Sequence, residues 1–369
     1  MSYSGADHAF MAEALRIAEG GRYISTPNPS VGCVLVRDGR IIGRGHSQAA
    51  GGAHAEVMAM RDALAQGEAL AGATAYVTLE PCAHFGRTPP CAKGLIDAGI
   101  ARVLAAQQDP NPLVAGRGLA MLREAGIQTE LGLLQAEARE SLKGFLSRIE
   151  RGRPWLRLKI AASLDGKTAL ANGESQWITG PAARADVQKL RARSCAMLTG
   201  SGTVLKDDPQ LTVRELDGQA WTGRQPLRVV LDSRGQLRPD ARLLQAPGQT
   251  LLLVSQIDPA RRAALEKAGA ELIALPDAHG RIDLAATLQL LGQRGMNEVT
   301  VEAGGRLNGA WLQSGLVDEI VLYQAPVLLG SAAADLADFS LARLADKFSP
   351  RVADLRQVGA DLRYTLRFD

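Results

Sequence analysis

Four residues in this 369-residue sequence have the types and spacing for hydrolytic chemistry: His54, Glu56, Cys82 and Cys91. One imidazole and two thiolates are the three protein ligands that a catalytic zinc takes while its fourth position stays open to water. Glu56 is then left over to move protons. Two other uses of the cluster stand beside this one: a closed structural zinc site with His84 as fourth ligand, and packing without metal. A protein merely stabilised by zinc, however, would need no Glu56.

Such a site requires particular elements around it. The apolar-rich run Ala55, Val57, Met58, Ala59, Met60 and Leu64 predicts a helix starting near His54. Side chains two apart on a helix diverge, so His54 and Glu56 can serve one site only if the metal lies over the helix N-terminus. Pro89 and Pro90 predict a second helix start, with Cys91 just inside it. Both helix ends then offer partial positive charge, which favours the thiolate form. A strand over 73–79 delivers Glu80, Pro81 and Cys82 to the same place.

Bulk composition narrows the function classes. Lys plus Arg number 42 against 39 Asp plus Glu, and a net charge of +3 is too slight to imply nucleic acid or an anionic membrane as partner. Aromatic residues are 4% of the chain, leaving few platforms for stacking bases. No run of about 18 apolar residues appears, and the first residues lack a basic segment followed by an apolar one, so a cytoplasmic protein is expected. Cys33 and Cys195 lie in apolar, strand-like runs and are expected to be buried free thiols.

Taken in order, the pattern predicts a helix over 8–20, a strand over 31–36, a hairpin turn at Asp38 and Gly39, and a returning strand ending at His46. Asn28, between two prolines, reads either as a turn former or as an amide able to read the amide edge of a pyrimidine. Beyond the His54 helix, helices over 90–98 and 116–125 alternate with strands over 101–106 and 127–131, and a helix over 133–150 closes the first half. Alternation of this kind implies a sheet covered on both faces, with ligands at strand ends. Gly152 to Pro154 interrupts it, which predicts domains over 1–150 and 151–369.

The second half is α/β again, with strands over 155–164, 195–199, 227–232, 250–255, 271–275, 298–302 and 318–324. Its helices fall over 182–192, 259–268, 283–292 and 306–314. Residues 361–368 predict an edge or closing strand, and 331–356 give mixed signals that place no element. No G-x-G-x-x-G is present, because 200–205 (GSGTVL) lacks the third glycine. Two glycine-bearing segments after strands, 200–203 and 304–305, are either phosphate-binding turns or tight turns without a ligand.

Zinc deaminases carry H-x-E followed by P-C-x-x-C, with the Glu outside the metal shell. Here eight residues, 83–90, separate the two cysteines, and 81–91 (PCAHFGRTPPC) resembles the P-C-(A/S)-H-x-G-R-T-P-P-C segment of the bifunctional riboflavin-biosynthesis deaminase/reductase family. Segments 159–167 (KIAASLDGK), 175–179 (SQWIT), 202–209 (GTVLKDDP), 211–214 (LTVR) and 301–305 (VEAGG) resemble its reductase half, in the same domain order. The loop around Asp109 and Gly116 to Gly118 is similar as well.

The resemblance implies an N-terminal cytidine-deaminase-like three-layer domain, dependent on zinc, followed by a dihydrofolate-reductase-like α/β domain that takes hydride from NADPH. It implies a pyrimidine ribotide as substrate and suggests a homodimer. Carried over by position, Asn28 and His46 line the deaminase substrate. Ala161, Trp177, Thr203, Asp207 and the turn Gly304, Gly305, Arg306, Leu307, Asn308, Gly309 and Ala310 line NADPH. Ser175, Arg191, Leu211, Arg214 and Glu302 line the reductase substrate. Arg191 and Arg214 suit a sugar phosphate, which a guanidinium meets with two bonds, although either alone would pass for a solvated surface residue. Asp207 or Glu302 exchanges the proton that accompanies the hydride, with Asp207 carried as the catalytic candidate. The competing reading is a nucleoside or nucleic-acid base deaminase whose second domain does no redox work.

Overall fold

The computed structural model describes residues 3–83, 90–112 and 114–368. The chain divides into two compact units, Met1–Gly152 and Arg153–Asp369. In the first unit the order is α1 (Gly5–Ala18), β1 (Gly32–Arg37), β2 (Arg40–His46), α2 (Ala55–Ala65), β3 (Thr74–Val77), α3 (Cys91–Asp97), β4 (Arg102–Ala105), α4 (Arg117–Glu124), β5 (Gln128–Leu131) and α5 (Gln135–Arg151). α1 begins earlier than its apolar pattern implies, because Ser4 and Asp7 cap each other's backbone in a capping box.

The sheet runs β2-β1-β3-β4-β5, with β1 antiparallel to β2 and β3, and β3, β4 and β5 parallel. Successive side chains of a strand point to opposite faces, and here both faces are buried. Cys33, Leu35, Val77 and Val103 pack with Ala59, Leu95 and Leu119 of α2, α3 and α4. Val34, Tyr76 and Leu104 pack with Met11 and Ala14 of α1. This is the expected three-layer arrangement.

One of its close joints lies between α2 and β2. A Cβ on Gly45 would lie 2.3 Å from the Ala55 oxygen, and one on Gly43 would lie 2.3 Å from the Ala59 oxygen. The small stripe Ala55, Ala59 and Ala63 therefore lets the helix backbone rest directly on the strand. That contact fixes the height of the α2 N-terminus above the sheet.

The second unit opens with β6 (Trp155–Ala162), β7 (Lys167–Ala169), α6 (Pro181–Arg193), β8 (Ala196–Gly200), α7 (Ser201–Asp207), β9 (Glu215–Leu216) and β10 (Gln219–Ala220). It continues with β11 (Leu227–Leu231), α8 (Arg242–Gln245), β12 (Thr250–Val254), α9 (Pro259–Lys267), β13 (Ala270–Ala274), α10 (Leu284–Gln293), β14 (Glu298–Val301) and α11 (Gly305–Gln313). It ends with β15 (Glu319–Gln324), β16 (Ala334–Asp335), β17 (Arg351–Val358) and β18 (Asp361–Arg367). Nine strands form one sheet in the order β13-β12-β11-β8-β14-β6-β15-β18-β17. The first seven are parallel and the last two antiparallel. β18 is thus an inner strand rather than the edge, a position that belongs to β17.

The unplaced stretch 331–356 holds β16 and much of β17. β17 lacks the apolar alternation of a half-buried strand because most of its residues are exposed, with Val352 and Leu355 standing in solvent. Cys33 and Cys195 are buried free thiols, as expected.

Candidate functional site

In the first unit the functional side chains converge at one end of the sheet. His46 closes β2 opposite Gly32 in β1, and Gly32 exchanges hydrogen bonds with Thr78, which leads to Cys82. His54 is the N-cap of α2, in extended conformation (φ −78°, ψ 167°), and Glu56 lies buried in the first turn. Cys91 is the first residue of α3, behind Pro90 as N-cap. Its N–H donates to the Cys82 sulfur at 3.3 Å, and Ala92 N–H donates to the Cys82 carbonyl at 3.2 Å. Both predicted helix starts are present.

The His54 Nδ1 atom lies 3.2 Å from the Cys91 sulfur and 3.7 Å from the Cys82 sulfur, and all three ligand atoms fall within 4.8 Å of one another. Zinc–nitrogen and zinc–sulfur bonds of about 2.1 and 2.3 Å in a tetrahedron imply ligand separations of about 3.6 Å, so the triad fits a zinc ion. His84, the alternative fourth ligand, lies outside the described residues.

Electrostatics divide the four groups into distinct roles. The contact with Cys91 pushes the Cys82 thiol well down, while the Cys82 sulfur and burial push the Cys91 thiol up. Contact with Cys82 also raises His54. Burial, reinforced by Cys82, pushes the Glu56 carboxyl up to about 7, the range in which a carboxyl both accepts and returns a proton near neutrality.

Asn28 is half-buried just after the cis Thr26–Pro27 bond, and its backbone N–H donates to the Ser25 carbonyl. Its side-chain amide makes no hydrogen bond among the described residues, which leaves it available to a ligand. The His46 Nδ1 atom lies 3.1 Å from the Ser47 carbonyl and 3.3 Å from the Gln48 amide.

The sequence reading passed over Glu80. Its buried carboxylate accepts N–H bonds from Asp109, Gly116 and Leu119, tying the loop before α4 to the strand end that carries Cys82. A carboxylate immediately before the proline and cysteine was the available signal.

In the second unit, β8 and β14 are neighbours, so the turns that follow them lie side by side at the carboxyl ends of parallel strands, where α/β sheets bind ligands. Thr203 lies in α7, which opens after Gly200, and Gly304 is the extended N-cap of α11. A Cβ on Gly200 would lie 3.2 Å from Leu307. The first backbone N–H groups of α11, at Gly305 and Arg306, have no intrahelical acceptor and suit a phosphate. Ala161 lies in β6 opposite Tyr323. Trp177 is exposed, with the Arg184 guanidinium 4.5 Å above its ring.

The substrate-side residues differ in what they leave free for a ligand. Arg191 does not hold its fork open for phosphate: Nε and Nη2 donate to the two Glu302 oxygens at 2.7 and 2.8 Å, and Nη1 donates to the Thr212 carbonyl. Arg214, exposed nearby, keeps its guanidinium without a partner among the described residues. Leu211 is buried with φ of 53°, and Ser175 is half-buried in the segment before Trp177. Burial alone would raise Glu302, but Arg191, Lys159 and Arg214 outweigh it and hold the carboxyl at about 2.

Lys159 was missed. It projects from β6 beside Glu302 and Arg191, and burial pushes its ammonium down. A lysine at the centre of a mainly apolar strand, two residues after Arg157, was the signal. Asp207 lies apart, exposed at the end of α7, with burial raising it and only Lys206 lowering it. The charged cluster that acts on Glu302 does not reach it.

The first unit, with a metal triad and a buried carboxylate on a two-faced sheet, is of the cytidine-deaminase class, and residues 4–107 match the family model described as the cytidine and deoxycytidylate deaminase zinc-binding region. Residues 154–349 match the RibD C-terminal domain, which makes the second unit a reductase domain. The chain belongs to the RibD family, the bifunctional deaminase/reductases of riboflavin biosynthesis.

It is 51% identical to the riboflavin biosynthesis protein RibD of Escherichia coli, over 96% of this chain and 98% of that one. It is 45% identical to the Haemophilus influenzae protein, over 99% and 98%. Acinetobacter baumannii RibD superposes with a TM-score of 0.90 at 43% identity, covering 98% of each chain. The Thermotoga maritima diaminohydroxyphosphoribosylaminopyrimidine deaminase/5-amino-6-(5-phosphoribosylamino)uracil reductase superposes at 0.87 with 33% identity, again over 98% of each. The reductase match removes the reading of a base deaminase with a non-redox second domain. No helix among the described residues is long and apolar enough to cross a membrane.

Proposed function

We propose that the first unit hydrolyses the amino group from the pyrimidine of 2,5-diamino-6-(5-phosphoribosylamino)pyrimidin-4(3H)-one, and that the second reduces the ribosyl group of the product to ribityl with NADPH. The observation that carries this reading is the triad of His54, Cys82 and Cys91 over two helix starts, with Glu56 buried beside it. Zinc, when bound by the triad, supplies the Lewis acidity that makes water nucleophilic at neutral pH. Glu56 takes one proton from the attacking water and gives it to the ring nitrogen, then takes the second proton from the newly added hydroxyl and gives it to the amino group, which leaves as ammonia. Asn28 and His46 orient the pyrimidine.

In the second unit NADPH supplies the hydride. Backbone N–H groups of the turn Gly304 to Ala310 hold its phosphates, with Ala161, Trp177, Thr203 and Asp207 along the remainder. Arg214 meets the substrate phosphate, and Ser175 and Leu211 line the sugar. Glu302, fixed by Arg191, is ionised and so orients Lys159 rather than donating a proton itself. Lys159, with its affinity for protons reduced by burial, gives the proton that accompanies the hydride. This assignment replaces Asp207 as the proton carrier. We place the protein in the cytoplasm, as a homodimer.

The test separates metal ligand from proton carrier. Cys82→Ser lowers zinc content from about one per chain, whereas Glu56→Gln keeps zinc and loses deamination by about two or more orders of magnitude. Reduction survives in both. Full zinc in Cys82→Ser, or loss of zinc in Glu56→Gln, would overturn the assignment.

A further inference from the structure

The S-L-D-G-K turn between β6 and β7 contributes no group to the chemistry above, yet it is densely bonded. Ser163 Oγ donates to Asp165, and Lys167 N–H donates to Ser163 Oγ, so the turn is closed on itself. The Asp165 carboxylate then accepts the Leu329 N–H at 3.1 Å and the Gly330 N–H at 2.8 Å. Leu164 N–H donates to the Val327 carbonyl and Leu336 N–H to the Gly166 carbonyl. Lys167 pairs with Asp335, and β16 pairs with β7. The turn therefore grips residues 327–336 at both ends.

What that segment touches next is α11. Asp338 N–H donates to the Gly305 carbonyl, and the fully buried Asn308 donates to the Leu336 carbonyl at 2.9 Å. A Cβ on Gly305 would lie 2.4 Å from the Asp335 oxygen, and one on Gly309 would lie 2.0 Å from the Asp338 oxygen. The strap backbone thus lies directly against the first turns of α11, at two positions where only glycine leaves room.

We propose that Asp165 is a positioning residue for the cofactor: through the strap 327–338 it fixes the turn Gly304 to Ala310. The proposal rests on the reading of that turn as the NADPH site. Asp165 touches neither cofactor nor substrate. An uncharged amide in its place would turn an NH2 group toward one of two N–H donors, and the strap would loosen from Leu329 onward. The α11 start would then lose the two hydrogen bonds and the backbone wall that set its place.

The experiment uses the full-length zinc protein carrying Asp165→Asn. NADPH affinity is read by fluorescence titration, and hydrogen exchange is followed at the amides of 305–310. The expected result is a rise in NADPH Kd of about tenfold, the scale of a lost bond to a charged group, with faster exchange at 305–310. Deamination stays unchanged, and kcat for reduction at saturating NADPH stays within about twofold. A merely structural role would lower the folded fraction and kcat while leaving Kd alone, and that pattern overturns the proposal, as does unchanged exchange at 305–310. If Asp165→Asn does not fold, Lys167→Met cuts the grip at its other end and is read the same way, with unchanged Kd and exchange again overturning the proposal. A wild-type protein that fails to bind NADPH sinks the cofactor reading instead, whereas the exchange comparison still decides whether Asp165 holds the α11 turn.

Discussion

Arg191 and Glu302 are joined by two parallel hydrogen bonds beside Lys159. Each residue type suggested contact with substrate, but the fork of the arginine is closed on the glutamate. The pair leaves a signature in stability. Because Glu302 is held at about 2, below its ordinary value of 4.5, its ionised form stabilises the folded state. That contribution, on the order of 3 kcal/mol, is complete above pH about 4.5 and is lost as pH falls toward 2. Arg191→Met should cost about 1.5–3 kcal/mol at pH 7, the scale of hydrogen bonds to a charged group, because Lys159 and Arg214 remain beside Glu302. Without Arg191 the Glu302 carboxyl is less depressed, so the deficit shrinks as pH falls from 4.5 toward 2 and the ionised form is lost from both proteins. Urea midpoints of the second unit at pH 7 and at a pH of about 3 check this, and an equal deficit at both would show that the pair is not coupled in this way. The triad of His54, Cys82 and Cys91 was legible in sequence because zinc dictates residue types. Lys159 and Glu80 were not, since their importance lies in what faces them across the fold.

The contact between α2 and β2 carries the same lesson one level up. The apolar-rich run of helix formers located α2, the Asp38–Gly39 turn located β2, Pro89 and Pro90 marked the start of α3, and that was the whole sequence signal. It could not show that Gly45 exists to admit the backbone of α2. Gly45→Ala puts a methyl within 2.3 Å of the Ala55 oxygen and the Ala59 nitrogen, so the helix must lift. We expect a stability loss of about 1–3 kcal/mol, the usual scale of overpacking, together with weaker zinc retention against a chelator, because His54 and Glu56 travel with the helix. Native zinc retention in a destabilised variant would show that the metal loop follows the helix without strain. Other elements escaped for a related reason. α7 is too short for a periodic signal, and the strap 327–338 follows a course set by its partners. β17, without a covering layer, has no reason to alternate.

For the molecule as a whole, each unit has its own sheet, its own buried clusters and its own candidate site. Fragments 1–152 and 153–369 should therefore each fold and retain one partial reaction. The first should release ammonia from the diaminopyrimidine ribotide without NADPH, and the second should oxidise NADPH only with the deaminated product. A folded second fragment that consumes no NADPH with that product would break the assignment of activities to units. The uncovered side of β17 bears on how such a fragment behaves in a tube. Its outward row of peptide groups, with Val352 and Leu355 beside it, is a template on which another chain can crystallise as a further strand. Arg351, Asp354 and Arg356, strung along the same strand, are what keep neighbours at a distance. Their protection reaches only as far as the ionic atmosphere allows, so added salt should promote such pairing at the rim of β17 while both cores stay folded.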